Sequence, residues 1–553
     1  MKMKNIYKIM AMVLGTALLT TSCIKETFPT SGATKEQISQ AASILEASVG
    51  AIPVNMAYPY SAFGSGANYG FDFGYPGLMC AMDACTGDVI CTAGDDAAGY
   101  DWFWYWERGT MMGPTAGLCD FPWNTYFSFM KSCNDVIGLV DTSKTLTSSE
   151  KLALGVAKAF RACFYLDMAR QYEALEVTDP AAAGKYDISK VKALTVPIID
   201  EKTTEEKARN NPRAKREEMF EFIFDDLNDA EALLDGITVK KTMPSKAVVY
   251  GLKARAYLWL GGFDKSNYTQ AASYARKAID ESGATILTEA QWLDPKTGFN
   301  TPNNSWMWYL PQSAEGVTNL VNFVAWRGAE ASWGYASLVQ QGVHVNFYNR
   351  IADTDWRKRA FLGPDPEAWW AENKDICNIN IEDEDWEGYF APYASVKFRP
   401  AGGEVLNYNV GNVTSICMMR VEEMLLIEAE ATAYSDPAKA ADLITAFATT
   451  RDAAFVKPAA TTEAVVDATM WQKRVELWGE GVVFYDFKRL NYGKETGYEG
   501  TNVSTDSRIN TDGRAPWWNF VIPEKEVLQN EALKGKNNPE PCDIVKTWVP
   551  EEE

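Results

Sequence analysis

Histidine is nearly absent from this chain: among 553 residues there is one, His344. That removes most zinc centres and most Ser-His-Asp chemistry, and no nucleophile-elbow motif stands near His344. A lone histidine reads as a hydrogen-bonded structural group. Ten cysteines are present, but Cys80, Cys85, Cys91, Cys119 and Cys133 show none of the paired CxxC spacing of a zinc site. Small buried thiols are the simplest reading, although an exported protein could form disulfides. Positive charge is scarce too. The net charge is −21, and it becomes more negative once three leader lysines are set aside. Such a surface repels phosphate polyanions, and no basic stripe offers a nucleic-acid groove. Beyond the N-terminus no apolar run approaches the roughly twenty residues of a membrane span. Acidic residues are abundant, so any two could be nominated as a glycosidase pair, and none stands out. The run Glu382–Asp385 reads as a solvated loop before it reads as a calcium site. No metal, cofactor or catalytic constellation emerges.

What is present begins with the leader MKMKNIYKIMAMVLGTALLTTSC. Lys2, Lys4 and Lys8 precede about eleven apolar residues, Ile9 to Leu19, too few to cross a bilayer and right for a secretory signal. Thr20, Thr21 and Ser22 lead into Cys23, which resembles a bacterial lipobox with Cys23 as the lipidated residue, although Thr20 stands where Leu is commonest. Residues 1–22 therefore read as a lipoprotein signal and 23–34 as a polar spacer. The rest, 35–553, reads as one body. It divides into a mostly helical-repeat portion (35–287), a loop- and strand-rich portion (288–417) and a C-terminal helical portion (418–553).

Helical periodicity is clearest in LALGVAKAFRACFYLDMARQYEAL (Leu152–Leu175), in Lys215 to Leu234, and in Met243–Gly283. In the last, Ser245 is a candidate N-cap, and Gly261 and Gly262 end the first helix. Ala271, Ala275 and Ala278 give the second helix a small-residue face. The order Ala256, Tyr257, Leu260-Gly261, Phe263, Ala271 follows the tetratricopeptide pattern. Each such hairpin buries its apolar face only against the next, so several should stack, with the helix after Leu152 pairing with the one after Lys215. Trp306–Leu310 alternates like a half-buried strand, which assigns Trp306 and Trp308 to the core. Helix is expected again from Met418 to Tyr434, with Glu428 on its apolar face needing a cationic or hydrogen-bonding partner. The fold class expected is mainly α, a tetratricopeptide-like αα superhelix with an irregular portion containing short strands.

Several stretches together resemble the SusD/RagB family of nutrient-uptake lipoproteins. They are Trp123–Asp135 (WNTYFSFMKSCND), Phe160–Tyr172 (FRACFYLDMARQY), Lys253–Gly261, Lys397-Phe398-Arg399, Arg420–Ala431 (RVEEMLLIEAEA), Lys473–Leu490 (KRVELWGEGVVFYDFKRL) and Ile522–Asn530 (IPEKEVLQN). One departure is Val483, where the family usually carries Arg, which removes one expected ion pair. The resemblance implies a helical scaffold with a ligand-binding portion, and no catalysis of its own. It also implies an outer-membrane address, lipid-anchored and facing outward, and a SusC-like TonB-dependent transporter that the lipoprotein caps. The cargo implied is an oligosaccharide, with peptide in some members. A helical-repeat scaffold binding only protein is the alternative of another class.

Sugar binding needs flat apolar faces with hydrogen-bonding groups beside them, and Trp supplies the largest such face. YDWFWYWERG (Tyr100–Gly109) carries Trp102, Trp104 and Trp106 at alternate positions, one face of the chain if the stretch is extended. Asp101, Glu107 and Arg108 are its polar complement, with Asp95 and Asp96 just upstream. Trp326, Arg327, Trp333 and Tyr335 form a second group in a Gly- and Ser-punctuated segment that suggests an exposed binding loop. Trp369-Trp370 and Trp386 with Tyr389 are weaker candidates.

Overall fold

The computed structural model describes residues 42–64, 69–317 and 320–550. The leader, Cys23 and the spacer lie outside the described residues. Small residues set the first packing: α1 (Ala42–Met56) lies against two long helices, α4 (Gly117–Ile137) and α5 (Ser148–Tyr172). Between them come α2 (Tyr75–Thr86), the two-residue strand β1 (Ile90–Cys91) and the single turn α3 (Trp104–Arg108). α5 begins with a reciprocal cap, Thr147 and Glu150 each bonding the other's backbone N–H. Its alanines at 153, 157, 159 and 162 are buried, so neighbours approach closely on every side.

From α5 onward each helix packs on the next, as the repeat pattern requires. α6 (Arg216–Leu233) lies on α5, clamped by Arg161, which donates from Nε to Asp226 at 2.7 Å. α7 (Lys246–Gly261) and α8 (Asn267–Ser282) form the tetratricopeptide-like hairpin. Ser245 caps α7 through Val248 N–H, and Ala271, Ala275 and Ala278 are fully buried. Gly261 is required by the crossing: a β-carbon there would stand 2.4 Å from the Tyr268 ring. α8 packs on α9 (Val421–Thr432), which α10 (Pro437–Ala448) and α11 (Thr462–Glu476) continue. Glu428, buried on α9, finds its cation in Arg276 of α8, whose Nε donates at 3.0 Å.

The loop-rich middle contains β2 (Trp306–Pro311) and β3 (Gln341–Gly342). β1 pairs with β3, and β2 pairs antiparallel with β4 (Ser415–Arg420). β4 corrects the expected helix: Met418 to Arg420 is strand, and helix begins at Val421. Trp306 and Trp308 are fully buried as expected, but Met307 is buried too. Register shifts beside Trp308 break the alternation of a half-exposed strand.

The charged positions of the C-terminal motifs are core. Glu476 accepts from Arg420 (2.7 Å), Arg357 (2.9 Å) and Arg451 (3.1 Å), and Glu480 from Lys397 (2.6 Å) and Arg420 (2.8 Å). All six side chains are almost sealed from solvent. A second knot joins Glu430 to Lys473 and Arg489, with Asp486 from α12 (Val483–Leu490) completing it. Val483 itself is buried among apolar neighbours. The nine cysteines among the described residues are unpaired thiols, seven buried. Among those residues no helix is long and apolar enough to cross a membrane.

Candidate ligand-binding face

Trp102 comes just before α3, and the backbone there is turned, not extended. Asp101 accepts from Phe103 N–H at 2.9 Å, the chain winds one helical turn, and Gly109 ends it in the left-handed region (φ 66°). A β-carbon on Gly109 would stand 2.2 Å from Trp517, so the turn closes directly on the core. Coiling separates the three tryptophans. Trp106 points inward and is fully buried against Phe71 and Phe121. Trp104 points outward and is half-buried. The expected single face of Trp102, Trp104 and Trp106 does not form, because alternation places side chains together only on extended backbone.

Trp102 is instead grouped with aromatic residues from other segments. Gly70 sits between Trp102 and Tyr335, each of which a β-carbon there would meet inside 3 Å. Tyr69 meets Trp102 edge-on at 6.0 Å and stacks on Phe71 at 5.3 Å. Tyr335 lies flat on Trp326, centroids 4.1 Å apart and planes within 8°. Tyr60 lies within electrostatic range of Tyr335, and its backbone N–H donates to Asp72 O at 2.6 Å. Asp72 is buried and accepts from the N–H groups of Ala62 and Phe63 at 3.2 Å each, which fixes the loop carrying Tyr60. Burial pushes the Asp72 carboxyl up, against those donors. Tyr60, Tyr69, Trp102 and Tyr335 are all half-exposed. They make a shallow aromatic face whose rings are held from behind.

Trp326 backs Tyr335 and the Gly70 backbone. It is fully buried, donates its indole N–H to Gly70 O at 2.8 Å and meets Phe103 edge-on at 4.8 Å. Arg327 is buried beside it, bonded to Gln341 (2.6 Å) and Asp83 (2.8 Å). Trp333 is buried and donates to Asn412 at 2.8 Å. Trp326, Arg327, Trp333 and Trp106 therefore stand behind the face with no surface open to a ligand, contrary to the expectation of an exposed loop. Of the second group Tyr335 alone stands at the surface.

Trp104 forms a second, smaller platform with Tyr105, ring centroids 4.6 Å apart. Arg108 covers one side of Trp104 with its guanidinium 3.0 Å from the ring centroid, and is itself tied to Asp506 at 2.8 Å. The other acidic residues of this stretch are structural. Asp101 and Glu107 are buried, and burial first, then their mutual repulsion, holds Asp101 well above the usual carboxylate range. Asp95 accepts from Thr505 N–H at 2.7 Å and so ties two loops together.

The weaker candidates are anchored from within. Trp369 and Trp370 are buried and donate to Arg359 O and Ile379 O. Tyr389 donates to Ala331 O at 2.6 Å with Trp386 edge-on against it. His344 caps the helix Val345–Arg350 through Phe347 N–H and lies 3.0 Å from the Tyr498 hydroxyl. Burial pulls its pKa down to about 4, so it is neutral at pH 7. Glu382, Asp383, Glu384 and Asp385 are solvated. Among the described residues no group of His, Cys, Asp and Glu side chains could hold a metal ion. Tyr60, Tyr69 and Asp72 were not singled out in sequence; the signal available was the density of Gly and aromatic residues between Tyr58 and Phe73.

Residues 370–539 match the model of the SusD family. A search of curated proteins finds no match. Among solved structures, a SusD-like carbohydrate-binding protein from Bacteroides vulgatus has a TM-score of 0.69 at 21% identity, covering 90% of this chain and 98% of that one. A SusD superfamily protein from Bacteroides fragilis has a TM-score of 0.63 at 17% identity, covering 90% and 99%. Surface glycan-binding protein A from Bacteroides thetaiotaomicron, in complex with laminarihexaose, has a TM-score of 0.63 at 15% identity, again covering 90% and 99%. At these identities the likeness is one of fold. Over residues 370–539 the chain is similar to the SusD family, and its fold agrees with that of solved SusD-like proteins.

Proposed function

We propose that this chain is a non-catalytic carbohydrate-binding lipoprotein of the outer membrane. It captures oligosaccharides at the cell surface and passes them to a SusC-like TonB-dependent transporter. The observation that carries the reading is the grouping of Trp102, Tyr335 and Tyr69 about Gly70, with Tyr335 stacked on the buried Trp326. Such rings pay little ordering cost on binding, and their faces suit the C–H side of a pyranose. The laminarihexaose complex of a protein with this fold supports the ligand class. The lipobox at Cys23 supports the anchor, and the match of residues 370–539 to the SusD family supports the transporter. Asp72, Asp101, Glu107 and Glu330, the carboxylates nearest the face in sequence, are buried and unavailable to a glycosidic bond.

The test is calorimetric titration with neutral hexasaccharides (laminarihexaose, maltohexaose, cellohexaose and xylohexaose), followed by the Trp102→Ala variant. Binding of at least one is expected. Trp102→Ala should then lose about 1–3 kcal/mol, taking base-on-aromatic stacking as the yardstick. Peptide binding with no hexasaccharide bound would overturn the sugar assignment. Protection of the chain from protease on intact cells would overturn surface display.

A further inference from the structure

A cavity of about 830 Å³ lies not on the aromatic face but one residue past it. Tyr60 belongs to the face; Ser61 and Ala62, next in the same Asp72-pinned loop, form the head of a groove. Its floor is α4 and its walls are the segment 197–209 and the helix α13 (Glu524–Gln529) with Leu533 beyond it. The volume falls within the roughly 300–1,000 Å³ of small-ligand sites.

The lining has a definite chemistry. Trp123 and Phe127, one turn apart on α4 with centroids 4.7 Å apart, give an apolar floor on which Phe127 is half-exposed. The charges at the rim are spent internally, Lys131 on Asp135 and Arg209 on Glu205, each at 2.5 Å. Glu526 takes the Trp123 indole N–H, and burial pushes its carboxyl up. By contrast Asn124, Ser128 and Gln529 make no side-chain hydrogen bond among the described residues. An apolar floor, two amides and a hydroxyl without partners among the described residues, and rim charges that are already paired suit a neutral polyhydroxylated ligand. The floor and one wall are helices, α4 and α13, whose backbone groups bond within themselves and offer no strand edge to an extended peptide.

We propose that this groove is a second saccharide site, separate from the aromatic face and divided from it by the loop at Ser61 and Ala62. The proposal rests on the carbohydrate reading above. Two adjoining sites would let one polymer chain be held twice, so that the second contact forms at high effective concentration.

The test titrates the full-length chain in detergent with the same four hexasaccharides. Ser128→Trp fills the groove from its exposed wall. The pair Asn124→Ala/Gln529→Ala removes amides that hold nothing in the fold, so a thermal scan should match wild type. For a hexasaccharide that binds, two equivalents are expected per wild-type chain. One should remain in either groove variant, and one in Trp102→Ala/Tyr335→Ala. Wild-type stoichiometry and affinity in both groove variants would overturn the groove site and leave the face standing. Loss of all binding in the groove variants, with the face pair silent, would overturn the face and keep the groove. No binding of any hexasaccharide by wild type would overturn both.

Discussion

Glu476→Gln is the sharpest test of what holds this fold. Glu476 is fully buried where α11 meets the strands and the loop-rich middle. Around it four cations, Arg357, Lys397, Arg420 and Arg451, face four carboxylates, Asp355, Glu422, Glu476 and Glu480. The substitution keeps shape and removes one negative charge, leaving one buried cation without a counter-charge. Orientation of the amide offers no escape. Oε1 accepts from Trp292, Arg420 and Arg451, and Oε2 from Arg357 and Arg451, so the new NH2 must face a guanidinium either way. Breaking a buried network on one side costs about 3–5 kcal/mol. With an unfolding entropy of about 1.2 kcal/mol/K for 553 residues, Tm should fall by about 3–4 °C in calorimetry at pH 7. The pH dependence checks the cause. Burial pushes the Glu476 carboxyl up, but Arg451, Arg420 and Arg357 outweigh it and hold the group well below the usual range. Its stabilisation is therefore complete above the unfolded value of about 4.5 and fades as pH falls toward the folded one. The Tm gap between variant and wild type should narrow below pH about 4.5. An unchanged Tm at pH 7, or a gap that widens in acid, would refute the account.

Three further outcomes are expected. His344, neutral down to about pH 4 by burial, must be protonated on unfolding below about pH 6.5, so stability should fall between pH 6.5 and 4 by a few kcal/mol; His344→Gln should flatten that part of the urea-midpoint profile. Gly261→Ala should destabilise by about 1–3 kcal/mol in denaturant titration. Tyr268 cannot retreat from the new methyl, because it is stacked on Tyr434 at 3.7 Å and bonded by Arg489 at 3.1 Å. Arg108→Ala should weaken hexasaccharide binding about fivefold, roughly 1 kcal/mol, by unseating Trp104; equal affinity would assign Trp104 to the surface alone.

The helical scaffold was readable because its determinants are local. Alanine at 271, 275 and 278, the Ser245 cap and the glycines after Leu260 each act within a turn or two of themselves. The unpaired charge of Glu428 was readable as a need, met by Arg276, because an apolar helix face tolerates no other solution. Arg420 marks where locality ends. The run MMRVEEMLLIEAEA is apolar enough for helix or strand, and β2, more than a hundred residues upstream, makes its first part a strand. The same holds at the face. Alternation of Trp102, Trp104 and Trp106 describes a strand only if nothing coils the backbone. Gly109, pressed against Trp517 from the far end of the chain, coils it. Trp326 looked like loop because Gly and Ser surround it, yet its partner Gly70 lies 256 residues away.

That dependence on distant segments has a consequence for binding. The rings of the face come from separate segments, residues 57–64 with 69–73, 100–109 and 324–335, each tied to the core by few, specific contacts: Asp72 to two amides, Gly109 against Trp517, Trp326 to Gly70. A face built this way resists ring rotation more than a single exposed loop would, since turning Tyr335 means unstacking it from Trp326. The surrounding surface offers little else to a ligand. Net charge is strongly negative, and the carboxylates nearest the rings in sequence are buried or tied to neighbours. On the proposed carbohydrate reading, selection rests on ring spacing and hydroxyl contacts, while the negative surface repels phosphate polyanions.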